Sequence, residues 1–156
     1  RKAGPPMSTA IALATGNDAD RIMDLMARYH ADAQLHYDDT HRAQVTGPLL
    51  DGSPLGAVWL IGPKSSPLGY VMVTFGWSMP HGGMVGWLEE CYIRPSVRGR
   101  GIGTEVLHAV AVNLGRAGMQ AMHAILPPAN PDEAARFCAR AGFRPVRDVR
   151  MMTDPL

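Results

Sequence analysis

Three apolar, β-rich runs follow one another closely in the middle of the chain: GAVWLIG (Gly56–Gly62), YVMVTFGW (Tyr70–Trp77) and VGWLEECYI (Val85–Ile93). The segments between them, rich in Gly, Pro and Ser, read as tight turns. Connections this short allow hairpins and leave no room for crossover helices, so the three runs predict an antiparallel meander. Whatever the rest of the chain does, it is built around that sheet.

On either side the apolar residues recur with helical spacing. Thr9–Thr15 reads as a first strand. NDADRIMDLMARYHA then reads as a helix capped by Asn17 or Asp18, with Ile22, Leu25, Met26 and Tyr29 on one face. QLHYDDTHRAQVTGPLL is polar, contains histidines and ends in Gly-Pro, and reads as a short helix or a loop. After the meander, Val106, Leu107, Val110, Ala111 and Leu114 mark a helix from near Gly103 to Gly115 or Gly118. Met119–Leu126 reads as a strand. Asn130-Pro131 opens a short helix that Gly142 closes, and Val146–Met152 reads as a last strand. This order predicts a single mixed α/β domain over residues 8–156, with residues 1–7 a tail or expression scar.

With 156 residues, 46% of them hydrophobic, the chain can bury one proper core. A net charge of +1 gives no global field for nucleic acid or an anionic membrane. Positive charge is instead concentrated at Arg94, Arg98 and Arg100, which favours a small anionic ligand. Cys91 and Cys138 are too few for a disulfide scaffold and lack metal-site spacing, so a reducing cytoplasm and no metal are expected. No run of 18 apolar residues is present, so no membrane span is expected.

The arginines belong to IRPSVRGRGIGTEV (Ile93–Val106), which links the third meander strand to a helix N-terminus. The first N–H groups of a helix have no internal partners and carry partial positive charge, so they bind anions. Glycines at alternate positions let the backbone turn tightly and let a phosphate approach. A phosphate loop of the Lys-Ser/Thr type is excluded, because Thr104-Glu105 follows the last glycine. A dinucleotide-binding G-x-G-x-x-G is excluded too: started at Gly99 it meets Thr104, and started at Gly101 it meets Val106.

Arg98-Gly99-Arg100-Gly101-Ile102-Gly103 resembles motif A of the GNAT N-acetyltransferase superfamily, Arg/Gln-x-x-Gly-x-Gly/Ala. LEECYIRPSVRGRGIG resembles the family's strand and loop, and NPDEAARFCARAGFRP its later helix. The resemblance implies a mostly antiparallel sheet flanked by helices on both faces. It also implies acetyl-CoA as cosubstrate and no metal. The pyrophosphate would lie on Arg98, Gly99, Arg100, Gly101, Ile102, Gly103 and Thr104. The pantetheine arm would run along Cys91, Tyr92 and Ile93, where a backbone N–H near Tyr92 or Ile93 polarises the thioester carbonyl. Asn130 matches an asparagine that contacts the cofactor arm, although it lies one residue farther from Cys138 than the family pattern has it.

An amine attacks a thioester only when neutral, so the site needs a proton acceptor. Glu89 and Glu90 are the adjacent carboxylates of the sheet region. Residues adjacent on a strand point to opposite faces, so regular pairing puts only one in a cleft, whereas a bulge would bring both closer. The resemblance implies that the pair serves as base and cation anchor: Glu90 for substrate binding, either one for the base through water. Cys138 stands where many family members have the tyrosine that protonates the leaving thiolate. It reads as a weaker acid, as a packing residue with Tyr92 or water taking the role, or as a sign that no acid is needed. His30, His36 and His41 cluster around the second helical segment and read foremost as surface or packing residues. Trp59, Trp77 and Trp87 read as core, and Met72, Met79 and Met84 as core or as the border of an apolar pocket.

The function this reading implies is direct transfer of acetyl from acetyl-CoA to an amine of a small cationic molecule or a protein. The alternative is a non-catalytic acyl-CoA-binding sensor. A homodimer is expected by family analogy alone.

Overall fold

The computed structural model of the protein describes residues 9–156. The expected tail, residues 1–7, lies outside the described residues. Strands β1 (Ile11–Leu13), β2 (Gly56–Ile61), β3 (Gly69–Ser78), β4 (Gly83–Ile93) and β5 (Ala121–Ala124) form one sheet in that order. The first four pair antiparallel and β5 joins β4 parallel. Helices α1 (Ala19–Asp32), α2 (Asp39–Leu50), α3 (Ile102–Arg116) and α4 (Pro131–Arg140) complete the fold. The expected mixed domain, with its meander and its flanking helices, is the observed one.

Each sheet face has its own core. Ile22, Leu25 and Met26 of α1 and Leu50 of α2 pack on Val58, Leu60, Tyr70, Met72 and Tyr92. On the other face Val106 and Val110 of α3 pack on Trp59, Ile61, Val71 and Val73. Each such side chain contributes about 1.5–3 kcal/mol of burial. Gly69 is required by close approach: a Cβ there would lie 1.9 Å from the Tyr92 carbonyl oxygen.

The ambiguous segment is a helix. The Asp38 carboxylate caps α2 by accepting from the His41 N–H at 2.8 Å. Pro48 lies in its last turn and removes one backbone N–H donor there. The α1 entry is set by Asp18, whose carboxylate accepts from the Thr15 N–H at 2.9 Å.

Two expectations fail. Val146–Met152 forms no strand. Its apolar residues fall at 146, 149, 151 and 152, which is not an alternating pattern, and Asp148 has φ +65°, which breaks an extended run. Of the three tryptophans only Trp59 is core, while Trp77 is 82% exposed and Trp87 37%. No helix among the described residues is long and apolar enough to cross a membrane.

Candidate active site

Glu89 and Glu90 are brought to one face by a bulge. Along the β3–β4 ladder Tyr70 faces Tyr92, Val71 faces Cys91 and Met72 faces Glu90, but Val73 faces Leu88. Glu89 is therefore the extra residue. Regular alternation would send it to the α3 side with Cys91 and Ile93. Instead its Oε1 accepts from Thr74 Oγ1 at 2.8 Å, and both carboxylates line a cavity of about 240 Å³ under α1 and α2.

Glu90 is held firmly. Its Oε1 accepts from the Tyr70 hydroxyl at 2.6 Å and its Oε2 lies 2.6 Å from His30 Nε2. Arg42 Nη1 lies 3.4 Å from His30 Nδ1. A guanidinium only donates, so Nδ1 is the acceptor and Nε2 carries the hydrogen given to Glu90. Burial and the Glu90 charge beside it push the Tyr70 hydroxyl far above the usual tyrosine range, so it stays a donor. Arg42 also donates to the Tyr37 carbonyl at 2.6 Å and pairs with Asp39 at 2.7 Å. The remaining wall is apolar and aromatic, with Met26, Leu35, Tyr37, Val45 and Met72, and Tyr37 stacks on His41 at 4.7 Å. Of the three histidines that read foremost as surface or packing residues, His30 and His41 line this cavity and His36 does not. Met72 lines it, whereas Met79 and Met84 do not.

A second groove, about 600 Å³, opens where β4 outruns β5. The parallel pair ends at Leu88 and Ala124, while β4 continues to Ile93. The Arg94 N–H donates to the Leu68 carbonyl at 2.8 Å. By alternation Tyr92 also bonds toward β3, and Cys91 and Ile93 turn their N–H groups to the groove side. Cys91, Tyr92 and Ile93 line one wall, and Asn130, Glu133, Ala134 and Phe137 line the other.

At the groove's end stand Arg98, Gly99, Gly101, Ile102, Gly103 and Thr104. Gly99 (φ +80°) and Gly101 (φ +76°) take the left-handed backbone that brings the chain onto α3. Gly103 has a different reason, since a Cβ there would meet the Phe137 ring at 3.0 Å. The N–H groups of Ile102, Gly103 and Thr104 precede the first i→i−4 bond, which Glu105 makes to Gly101 at 3.0 Å. Arg98 is tied down: Nε donates to the Ile93 carbonyl at 2.7 Å and its guanidinium lies 5.4 Å from the centre of the Tyr92 ring. Free helix N–H groups, a left-handed glycine turn and an open strand edge fit a pyrophosphate with an extended amide-bearing arm.

Two expected residues stand apart. Arg100 does not line the groove. Cys138 is buried, 8% exposed, and lies outside the groove wall, while its neighbour Phe137 faces in. Burial raises the Cys138 thiol pKa, and it does the same for Cys91, with Cys138 adding to the effect there. Tyr29 carries only a core signal in the periodicity of α1, yet it lines both the cavity and the groove. Burial, and then the Glu90 charge, raise its hydroxyl pKa. Arg42 had no sequence signal beyond its place in a polar helix. Among the described residues no cluster of three metal-type side chains occurs.

A family model described as Acetyltransferase (GNAT) family matches residues 19–143. No curated protein matches the chain. Among solved structures, an integron cassette protein from the mobile metagenome of Cole Harbour Salt Marsh is 24% identical, with 94% of this chain and 90% of that one covered and a TM-score of 0.81. A predicted acetyltransferase with acetyl-CoA from Clostridium acetobutylicum is 14% identical, covering 93% and 96%, with a TM-score of 0.75. An aminoglycoside acetyltransferase from an uncultured soil metagenomic sample, in complex with sisomicin, is 14% identical, covering 95% and 96%, with a TM-score of 0.74.

Proposed function

Because the chain belongs to the acetyltransferase (GNAT) family, we propose that it transfers acetyl from acetyl-CoA to the amine of a small molecule held in the cavity beside Glu89 and Glu90. The observation that carries this reading is the bulge, which turns two carboxylates into a cavity that shares Tyr29 with the groove. A binder without chemistry has no use for that arrangement.

Acetyl-CoA, when bound, supplies an activated acyl carbonyl whose C–S bond breaks as the C–N bond to the amine forms. The chain's own residues divide the remaining work. The N–H groups of Ile102, Gly103 and Thr104 bind the pyrophosphate, with Arg98 holding the loop in shape. The Cys91 and Ile93 N–H groups hold the pantetheine arm and donate to the carbonyl oxygen as it gains charge. Glu90, fixed by Tyr70 and His30, anchors the ammonium, and Glu89 takes its proton directly or through water. Tyr29, at the junction, gives its proton to the leaving sulfur and is refilled by the second proton that the nitrogen sheds as the amide forms, in the role that Cys138 is too deeply buried to fill.

The test is thiol release from acetyl-CoA across a panel of primary amines, with acetyl-CoA binding measured separately by calorimetry. Amine-dependent release is expected, with a large loss in Glu90→Gln. Tight acetyl-CoA binding with no release for any amine would overturn the enzyme reading and leave the binding-module alternative.

A further inference from the structure

The sheet face that carries Glu89 and Glu90 does not stop at the cavity. Past the bulge the β3–β4 ladder runs on, with Thr74 facing Trp87 and Gly76 facing Val85. Thr74 is the residue whose hydroxyl donates to Glu89, so Trp87 stands beside that carboxylate on the same face. Parallel pairing sets His123 of β5 next to Trp87, and their ring centres lie 4.9 Å apart. His81, in the β3–β4 turn, meets His123 at 4.8 Å and 66°, and its Nδ1 lies 3.0 Å from Ser78 Oγ. Burial, and then the neighbouring His81, lower the His123 pKa, so its ring is neutral at pH 7. Together these rings form a shelf that leads away from Glu89. Trp87 belongs to neither core, and its small neighbours Thr74 and Gly76 leave the indole open on the β3 side.

From this continuity we infer that the shelf is a second acceptor subsite, in which a flat aromatic ring carried by the amine stacks on Trp87 beside His123. The inference rests on the acetyltransferase reading and deepens it, because it names a part of the substrate that the carboxylates do not touch. Trp87 and Glu89 are two residues apart along β4, about 6–7 Å, so a ring about four carbons from the nitrogen reaches the shelf while the ammonium stays on the carboxylates. A flat ring covers the indole face, whereas an alkyl chain covers only a strip of it. The shelf sets no limit on the number of amino groups in the acceptor, since it reads the molecule away from its charge.

The experiment compares 4-phenylbutylamine with butylamine as acceptors on the full chain, in the wild type, Trp87→Leu and Trp87→Phe. The expected wild-type kcat/KM is about tenfold higher for the ring-bearing amine. Trp87→Leu should bring the ring-bearing amine down toward butylamine, and Trp87→Phe, which keeps a ring, should retain most of the advantage. Equal use of both amines by the wild type overturns the inference. So does an advantage that survives Trp87→Leu, or a loss in Trp87→Leu that falls on both amines by the same factor. If neither amine is acetylated, that failure belongs to the acetyltransferase reading, and calorimetry on the CoA-saturated protein decides the shelf by itself. Tighter binding of 4-phenylbutylamine in the wild type, lost in Trp87→Leu, supports the subsite; equal binding of the two amines overturns it.

Discussion

His30 Nε2 and Glu90 Oε2 lie 2.6 Å apart, and this bond joins α1 to β4 one residue beyond the bulge. With Arg42 behind the imidazole, it fixes the direction of the carboxylate rather than merely filling space. Glu90→Gln keeps the volume and removes the charge. Losing the ammonium anchor should raise the amine KM about 30-fold or more, since truncating one partner of a desolvated charge pair costs about 2–5 kcal/mol, with a lesser fall in kcat and acetyl-CoA affinity unchanged by calorimetry. His30→Phe should act through Glu90: a higher amine KM, a smaller kcat loss, and about 1–3 kcal/mol lost from stability in urea melts. Equal kinetics in wild type and His30→Phe would remove the positioning role.

The loop before α3 depends on backbone shape. Gly101→Ala places a side chain at φ +76° and should cost about 1–2 kcal/mol through left-handed strain. Arg98→Ala loses the tie to the Ile93 carbonyl and should weaken CoA binding while leaving the melting temperature nearly unchanged. Arg100→Ala, outside the groove, should leave CoA affinity within twofold. Calorimetric titration of the three variants separates these outcomes.

Proton donation to sulfur is assigned to Tyr29 and not to Cys138. Tyr29→Phe should lower kcat about tenfold or more with little change in either KM. Cys138→Ala should leave turnover within twofold and cost about 1 kcal/mol of packing. A large kcat loss in Cys138→Ala alone would reverse the assignment.

Acid stability is tied to Asp18. The Thr15 N–H bond, and then the Lys64 ammonium at 2.9 Å, hold its carboxyl below the usual carboxylate range. The unfolded chain therefore binds this proton more readily than the folded one. The stabilisation is complete above about pH 4, the unfolded value, and is lost as pH falls through the folded pKa. Asp18→Asn should flatten the acid side of a melting-temperature profile. An unaltered profile would show that this carboxyl does not contribute.

The legible parts of the chain were those governed by local rules. Hairpin spacing gave the meander, helical periodicity gave α1 and α3, and Asn130-Pro131 with Gly142 bracketed α4. The second helix was obscured by its polar composition and its Gly-Pro end, although the Asp38 cap was available as a signal. A bulge near Glu89 was conceivable from the adjacent carboxylates, but its position depends on register against β3, which no single strand encodes. Tyr29 and Arg42 were illegible for the same reason: each matters because of where two distant segments meet. The terminal segment went the other way, since β-forming residues at Val146–Met152 meet no partner strand among the described residues.

In the geometric sense Glu89 is an insertion. Val73–Leu88 and Met72–Glu90 would be neighbouring pairs of an unbroken ladder if residue 89 were absent. Leu88, Cys91 and Ile93 already face the α3-side core and Tyr92 the other, so the hydrophobic pattern gains nothing from the extra position. Deleting one codon would heal the sheet and remove one of the cavity's two carboxylates, so at this position regular pairing and cavity charge oppose each other. Stability-directed selection of this chain would be expected to find that deletion, and activity-directed selection to reject it.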